Sequence, residues 1–104
     1  MSDVSDARYV VVFRATVAAF DDEYSRTAAA LRERALRDFG CLAFHALTEG
    51  DQEIALSYWP SLEAIRTWQQ DATHLQAQEL GRTRWYSGYH VEVVEILRAY
   101  QHPR

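Results

Sequence analysis

Lysine and asparagine are both missing from this chain of 104 residues, and cysteine occurs once. Without lysine, chemistry through a Schiff base on an ε-amine is excluded. All eleven basic residues are arginine, fifteen acidic residues outweigh them, and the net charge is -4. No stretch is basic enough to follow a phosphate backbone, which disfavours nucleic acid as a partner. Cys41 cannot form an intramolecular disulfide, no apolar run reaches membrane-spanning length, and the opening "MSDVSDAR" is acidic where a secretion signal is basic and then apolar. A cytoplasmic protein with no membrane partner is expected. Also missing are a glycine-rich phosphate loop, a dinucleotide fingerprint and a nucleophile elbow, so a bound nucleotide cofactor is not expected. Four histidines at unrelated spacings, with no HxH or HxxxH pair, give no metal signature.

What is present is 48% hydrophobic residues in a chain near the lower size limit for a self-sufficient core. The division expected is a disordered tail over 1–7, one domain over 8–98 and a C-terminal tail over 99–104. "RYVVVFRATV" is rich in β-branched residues and apolar on both alternating faces, as in a strand covered on both sides. "DDEYSRTAAALRERALRDFG" reads as a helix, with acids at its start, arginines toward its end and Gly40 as a stop. Its apolar stripe is Tyr24, Ala28, Leu31, Ala35 and Phe39. "CLAFHAL" and "EIALSYW" are short apolar runs joined by "TEGDQ", the length of a hairpin loop. "SLEAIRTWQQDATHLQAQELGRTRW" is helical in composition, with Asp71 able to restart the helical phase, and "YHVEVVEIL" closes the domain as a strand. The order β-α-β-β-α-β is the split βαβ layout of α+β ferredoxin-like folds. Large apolar residues on both strand faces predict a homodimer whose two sheets meet face to face.

The candidate site residues lie around the second helical region. Leu62, Ile65, Trp68 and Ala72 recur at helical spacing, so Trp68 faces inward, as core or as cavity wall. Trp59 ends a strand just before Pro60, where a side chain can line the mouth of a cavity between helix and sheet. If Asp71 restarts the helix, His74, Ala77, Gly81 and Trp85 share one face with small residues in its middle. Such a strip offers room for a ligand beside a group that exchanges a proton near neutral pH. A capping or surface role is the alternative for His74, and His45 and His90 are expected in the interior. Arg82, Arg84, Trp85, Tyr86 and Tyr89 gather in "LGRTRWYSGY", suited to an interface rim or to a pocket for a planar anionic phenol.

The segments "YVVVFRA", "YWPSLEAIRTWQQDATHLQAQ" and "GRTRWYSGYHVEVVEI" together resemble the antibiotic biosynthesis monooxygenase family, small dimeric α/β-barrel proteins, over about Arg8 to Arg98. The carrying motif is W-x-S-x-E-A from Trp59 to Ala64, followed by Trp68 and then His74-Leu75. The resemblance implies a pocket between helices and sheet in each subunit. In the quinone-forming branch, which oxygenates polycyclic phenols without a cofactor, the pocket tryptophan matches Trp59, and the asparagine four positions earlier is replaced by Ala55. In the haem-degrading branch the helix tryptophan matches Trp68, the haem-ligating histidine is replaced by Gln78, and the asparagine of the first strand has no counterpart. The resemblance thus implies a cofactor-independent monooxygenase of an aromatic, polyketide-like small molecule. In that reading His74 and Trp59 are the catalytic pair, and Trp68, Arg84, Trp85 and Tyr86 are the substrate contacts. The alternatives are a small-molecule-binding dimer without catalysis and a haem-binding relative using His74.

Overall fold

β-branched and aromatic side chains dominate the first strand, β1 (Tyr9–Val17), and it lies inside the sheet, where such residues pack on both faces. The computed structural model describes residues 6–102, apart from the side chain of Thr73. Along the chain follow α1 (Asp22–Asp38), β2 (Ala43–Glu49), β3 (Gln52–Trp59), α2 (Leu62–Gln69), α3 (Ala72–Leu80), a π-helical turn (Gly81–Trp85) and β4 (Tyr86–Glu95). The strand order is β2-β3-β1-β4, every neighbouring pair antiparallel. This is the expected ferredoxin-like α+β layout. The sheet is open, not closed into a barrel.

Local chemistry sets the ends of the elements. Asp21 caps α1 by accepting a hydrogen bond from the Tyr24 backbone N–H at 2.7 Å, and Ser61 caps α2 through the Ala64 N–H at 3.1 Å. Gly40, at φ 81, turns the chain out of α1. Gly50, at φ 60, takes the first central position of the β2–β3 hairpin, where a two-residue turn needs a positive φ. The second helical region does break before Asp71: α2 ends at Gln69 and α3 begins at Ala72.

Alternation gives the sheet two distinct sides. Val11, Phe13, Ala15, Ala55, Ser57 and Trp59 face the helices. Val10, Val12, Leu56, Tyr58 and Val94 face away, together with Arg14, His45, Leu47, His90 and Glu92. His45 and His90, expected inside, are therefore exposed on this open side, where His45 meets the Tyr58 ring and His90 pairs with Glu92 at 3.6 Å. The core fills one end of the layer between helices and sheet: Val11, Ala35, Cys41, Trp59, Ile65 and Trp68. At the chain's start, Ala7 is already buried and the Arg8 N–H donates to the Trp59 carbonyl at 2.8 Å, so packing reaches one residue into the expected tail. The rest of that tail, residues 1–5, lies outside the described residues, as do residues 103–104. Among the described residues no helix is long and apolar enough to cross a membrane.

Candidate functional site

The end of the layer left free by the core holds a cavity of about 350 Å³, within the size range of small-molecule sites. Its floor is set by strand register. One rung places Phe44, Ser57 and Val11 side by side, the next Ala46, Ala55, Phe13 and Val91, and a third Glu53, Ala15 and Tyr89. The two alanines of the middle rung carry almost no side-chain volume, so the floor is low there and leaves room beneath the helices. The roof comes from Tyr24, Ala28 and Leu31 of α1 and from His74, Ala77 and Gln78 of α3, with Trp68, Trp85 and Tyr86 as walls.

His74 reaches the cavity because the helix restarts at Ala72, which turns His74 and Ala77 inward on the same face. Its ring meets the Trp68 ring edge-on at 4.4 Å. Its Nδ1 is buried and finds no hydrogen-bond partner among the described residues, and the same holds for the Trp68 indole nitrogen. Burial lowers the His74 pKa below its ordinary 6.5, with the Asp71 charge and the Gln69 backbone acting against it. At neutral pH this is an uncharged imidazole with a free lone pair or a free N–H, beside an apolar space. Asp71 itself is held by Arg34 of α1 at 2.8 Å, which ties the α2–α3 break to the roof.

The opposite end of the cavity is phenolic and acidic. The Tyr24 hydroxyl donates to the Glu53 carboxylate. Burial, then this hydrogen bond, push the Tyr24 phenol far above its ordinary value. Burial also moves Tyr86, which lies edge-on to Tyr24 at 6.0 Å, up to about 12. Both phenols stay protonated at any physiological pH and act as hydrogen-bonding groups, never as bases. Tyr86 owes its place to Gly81: a Cβ there would lie 2.8 Å from the Tyr86 ring.

Of the expected site residues, the structure brings His74, Trp68, Trp85 and Tyr86 together around the cavity. Two others lie elsewhere. Trp59 is fully buried in the core and lies outside the lining. Its indole N–H donates to Ser57 Oγ at 2.8 Å, and its ring stacks at 5.0 Å behind Trp68, which takes the wall position. Arg84 is on the surface, bridging Asp21 at 2.9 Å and Glu23 at 2.5 Å at the start of α1, because the π-helical turn points it away from the cavity. Glu53 and Tyr24 were not foreseen as polar lining. The signal was available: Glu53 shares its strand face with Ala55, Ser57 and Trp59, so an acid stands on an inward side. Gln78 lines the cavity with a carboxamide where the resemblance places a haem-ligating imidazole. Among the described residues no three His, Cys, Asp or Glu side chains gather closely enough to hold a metal ion.

No family model matches the chain. It is 34% identical over 91 residues to the uncharacterised protein YqjZ of Bacillus subtilis, spanning 86% of this chain and 80% of that one. Among solved structures, a mutant of SnoaB, a cofactor-independent oxygenase from Streptomyces nogalater, superposes with a TM-score of 0.77 at 17% identity, over 92% of this chain and 99% of that chain. A Caulobacter crescentus protein provisionally assigned as an antibiotic biosynthesis monooxygenase gives 0.75 at 16% identity, over 88% and 92%. At such identities these likenesses establish the fold, the level at which the resemblance read from the sequence is borne out. The chain belongs to one family with YqjZ and is built on the ferredoxin-like fold of the antibiotic biosynthesis monooxygenases.

Proposed function

We propose that the protein is a cofactor-independent monooxygenase acting on a planar, electron-rich phenol of polyketide type, with His74 as the base. The observation that carries this reading is an uncharged imidazole with an unpartnered buried nitrogen, in contact with Trp68 and in the lining of a cavity walled largely by aromatic and aliphatic side chains. A phenol whose ring bears a reactive methylene, as in an anthrone, is oxygenated once its anion is formed. His74 removes the proton, and the anion passes one electron to dioxygen. The radical pair then joins as a peroxide at that carbon. The peroxide takes up the proton and loses water, so one oxygen atom becomes the new carbonyl and the other leaves as water. The protein supplies the base, a space that excludes water, and donors beside the developing charge, of which the unpartnered indole N–H of Trp68, whose ring meets that of His74 at 4.4 Å, is one. Its fold-mate SnoaB, itself a cofactor-independent oxygenase, supports the same reading.

Dimerisation belongs to this reading. Val12, Ile54, Leu56, Tyr58 and Val94 give the open side of the sheet an apolar patch that a second copy would cover, completing the barrel from two open sheets. A cytoplasmic setting also belongs to it, and the single buried thiol of Cys41 suits a reducing compartment.

The test is oxygen uptake by the purified protein with an anthrone as substrate. Uptake that falls by roughly 10²- to 10⁴-fold in His74→Ala, the usual range for losing a general base, supports the proposal. Uptake unchanged in that variant removes His74 from the mechanism. Ala55 on the floor, in place of the asparagine of the quinone-forming branch, favours a second reading: a binding protein without turnover. Saturable binding of the anthrone with no oxygen uptake would establish it.

A further inference from the structure

The cavity has a direction. Along β3, Glu53 and Ser57 are four residues apart, about 13 Å of strand. Tyr24 hydrogen-bonds Glu53 at one end, while Ser57 leads through Trp59 and Trp68 to His74 at the other. α1 runs alongside, and eight residues beyond Tyr24, about 12 Å along the helix axis, stands Arg32, the one arginine in the lining among the described residues. The Arg34–Asp71 bridge brings that part of α1 to the start of α3, beside His74. One end thus carries a cation and a base, the other a carboxylate, with the alanines of the floor between them.

We infer that the Glu53 carboxylate sets the specificity of this cavity, admitting a planar phenol that brings an uncharged hydroxyl donor to that end and rejecting one that brings a carboxylate. The inference rests on the reading of the cavity as an aromatic site and adds which substituent its far end accepts. Tyr24 occupies one carboxylate oxygen of Glu53. The other has acceptor capacity for a ligand hydroxyl, and a charge-assisted bond of that kind is among the stronger ones available to a neutral ligand. A ligand carboxylate there would meet like charge and two lone-pair-bearing oxygens with no proton between them. Tyr24 does not relieve this, because its proton is already directed at Glu53. The ligand is thereby oriented as well as chosen: its acidic phenol faces His74 and Arg32, its neutral hydroxyl faces Glu53.

The experiment is anaerobic titration, read by tryptophan fluorescence, with two probes: a tricyclic anthrone bearing a hydroxyl on the ring remote from the reacting carbon, and the same molecule bearing a carboxylate there. The wild-type protein is expected to bind the hydroxyl probe roughly 10- to 100-fold more tightly. Glu53→Gln keeps an acceptor for Tyr24 and offers an amide donor to the ligand, so the two affinities should converge to within about threefold. Tyr24→Phe leaves the carboxylate in place and should retain the preference. Equal or tighter binding of the carboxylate probe by the wild type overturns the inference alone, as does an unchanged ratio in Glu53→Gln or a lost preference in Tyr24→Phe. Binding of neither probe by the wild type removes the aromatic-site reading and the inference with it.

Discussion

Trp59 and Trp68 stack at 5.0 Å, yet only one of them faces the cavity. Trp59 is completely enclosed and satisfied by Ser57, so its contribution is to stability. Trp59→Ala should cost about 3–5 kcal/mol, a large share of the roughly 5–15 kcal/mol that holds a domain together. A urea titration that finds this variant close to wild type would contradict the placement. Ser57→Ala leaves a buried indole N–H without its acceptor and should cost about 1–3 kcal/mol by the same measurement. His74 adds a pH dependence. Because burial lowers its pKa below that of the unfolded chain, the unfolded state binds the extra proton first as pH falls. The contribution is fully present above about pH 6.5 and is lost as pH drops through the folded value. The stability lost between about pH 7.5 and pH 5 should therefore shrink in His74→Gln, and equal losses in the two proteins would contradict a buried neutral imidazole.

Among the elements, the π-helical turn Gly81–Trp85 does most to shape the site. Its Trp85 carbonyl accepts from Ala18 N–H at 2.6 Å, anchoring the segment after β1. Its first residue leaves space for the Tyr86 ring. Gly81→Ala adds helix propensity worth up to about 1 kcal/mol but overpacks against that ring at about 1–3 kcal/mol, so a net loss of stability is expected. Displacement of Tyr86 should weaken binding of the hydroxyl probe as well, and unchanged stability and affinity together would contradict the contact. Most of the elements were legible in the sequence, because β-branched runs, capping residues and the glycines at 40 and 50 are local signals. Asp71 marked the helix break, and that break put His74, Ala77 and Trp85 on one face. The fate of Trp59 was not legible. Strand alternation does send it toward the helices, beside Ser57, but its depth is set by α2, which follows at once and lays Ile65 and Trp68 over it. Arg84 was misread for a similar reason: a π-helical turn advances side chains differently from an α-helix, and it delivered the guanidinium to Asp21 and Glu23.

For the whole molecule, the two sides of the sheet have separate tasks. The helix side encloses the cavity, and the open side, with Ile54 and Val94 exposed among Val12, Leu56 and Tyr58, is the surface the proposed dimer would bury. A dimer by sedimentation that is weakened by Leu56→Asp fits this arrangement, and a monomer at high protein concentration contradicts it. The central claim concerns the cavity and is open to one direct measurement. In the absence of oxygen, an anthrone bound to the wild-type protein at a pH where the free compound is neutral should display the absorption of its anion, and His74→Ala should bind it without that band. An anthrone that stays neutral in the wild-type cavity, or an anion band that persists without His74, would contradict proton transfer to this histidine.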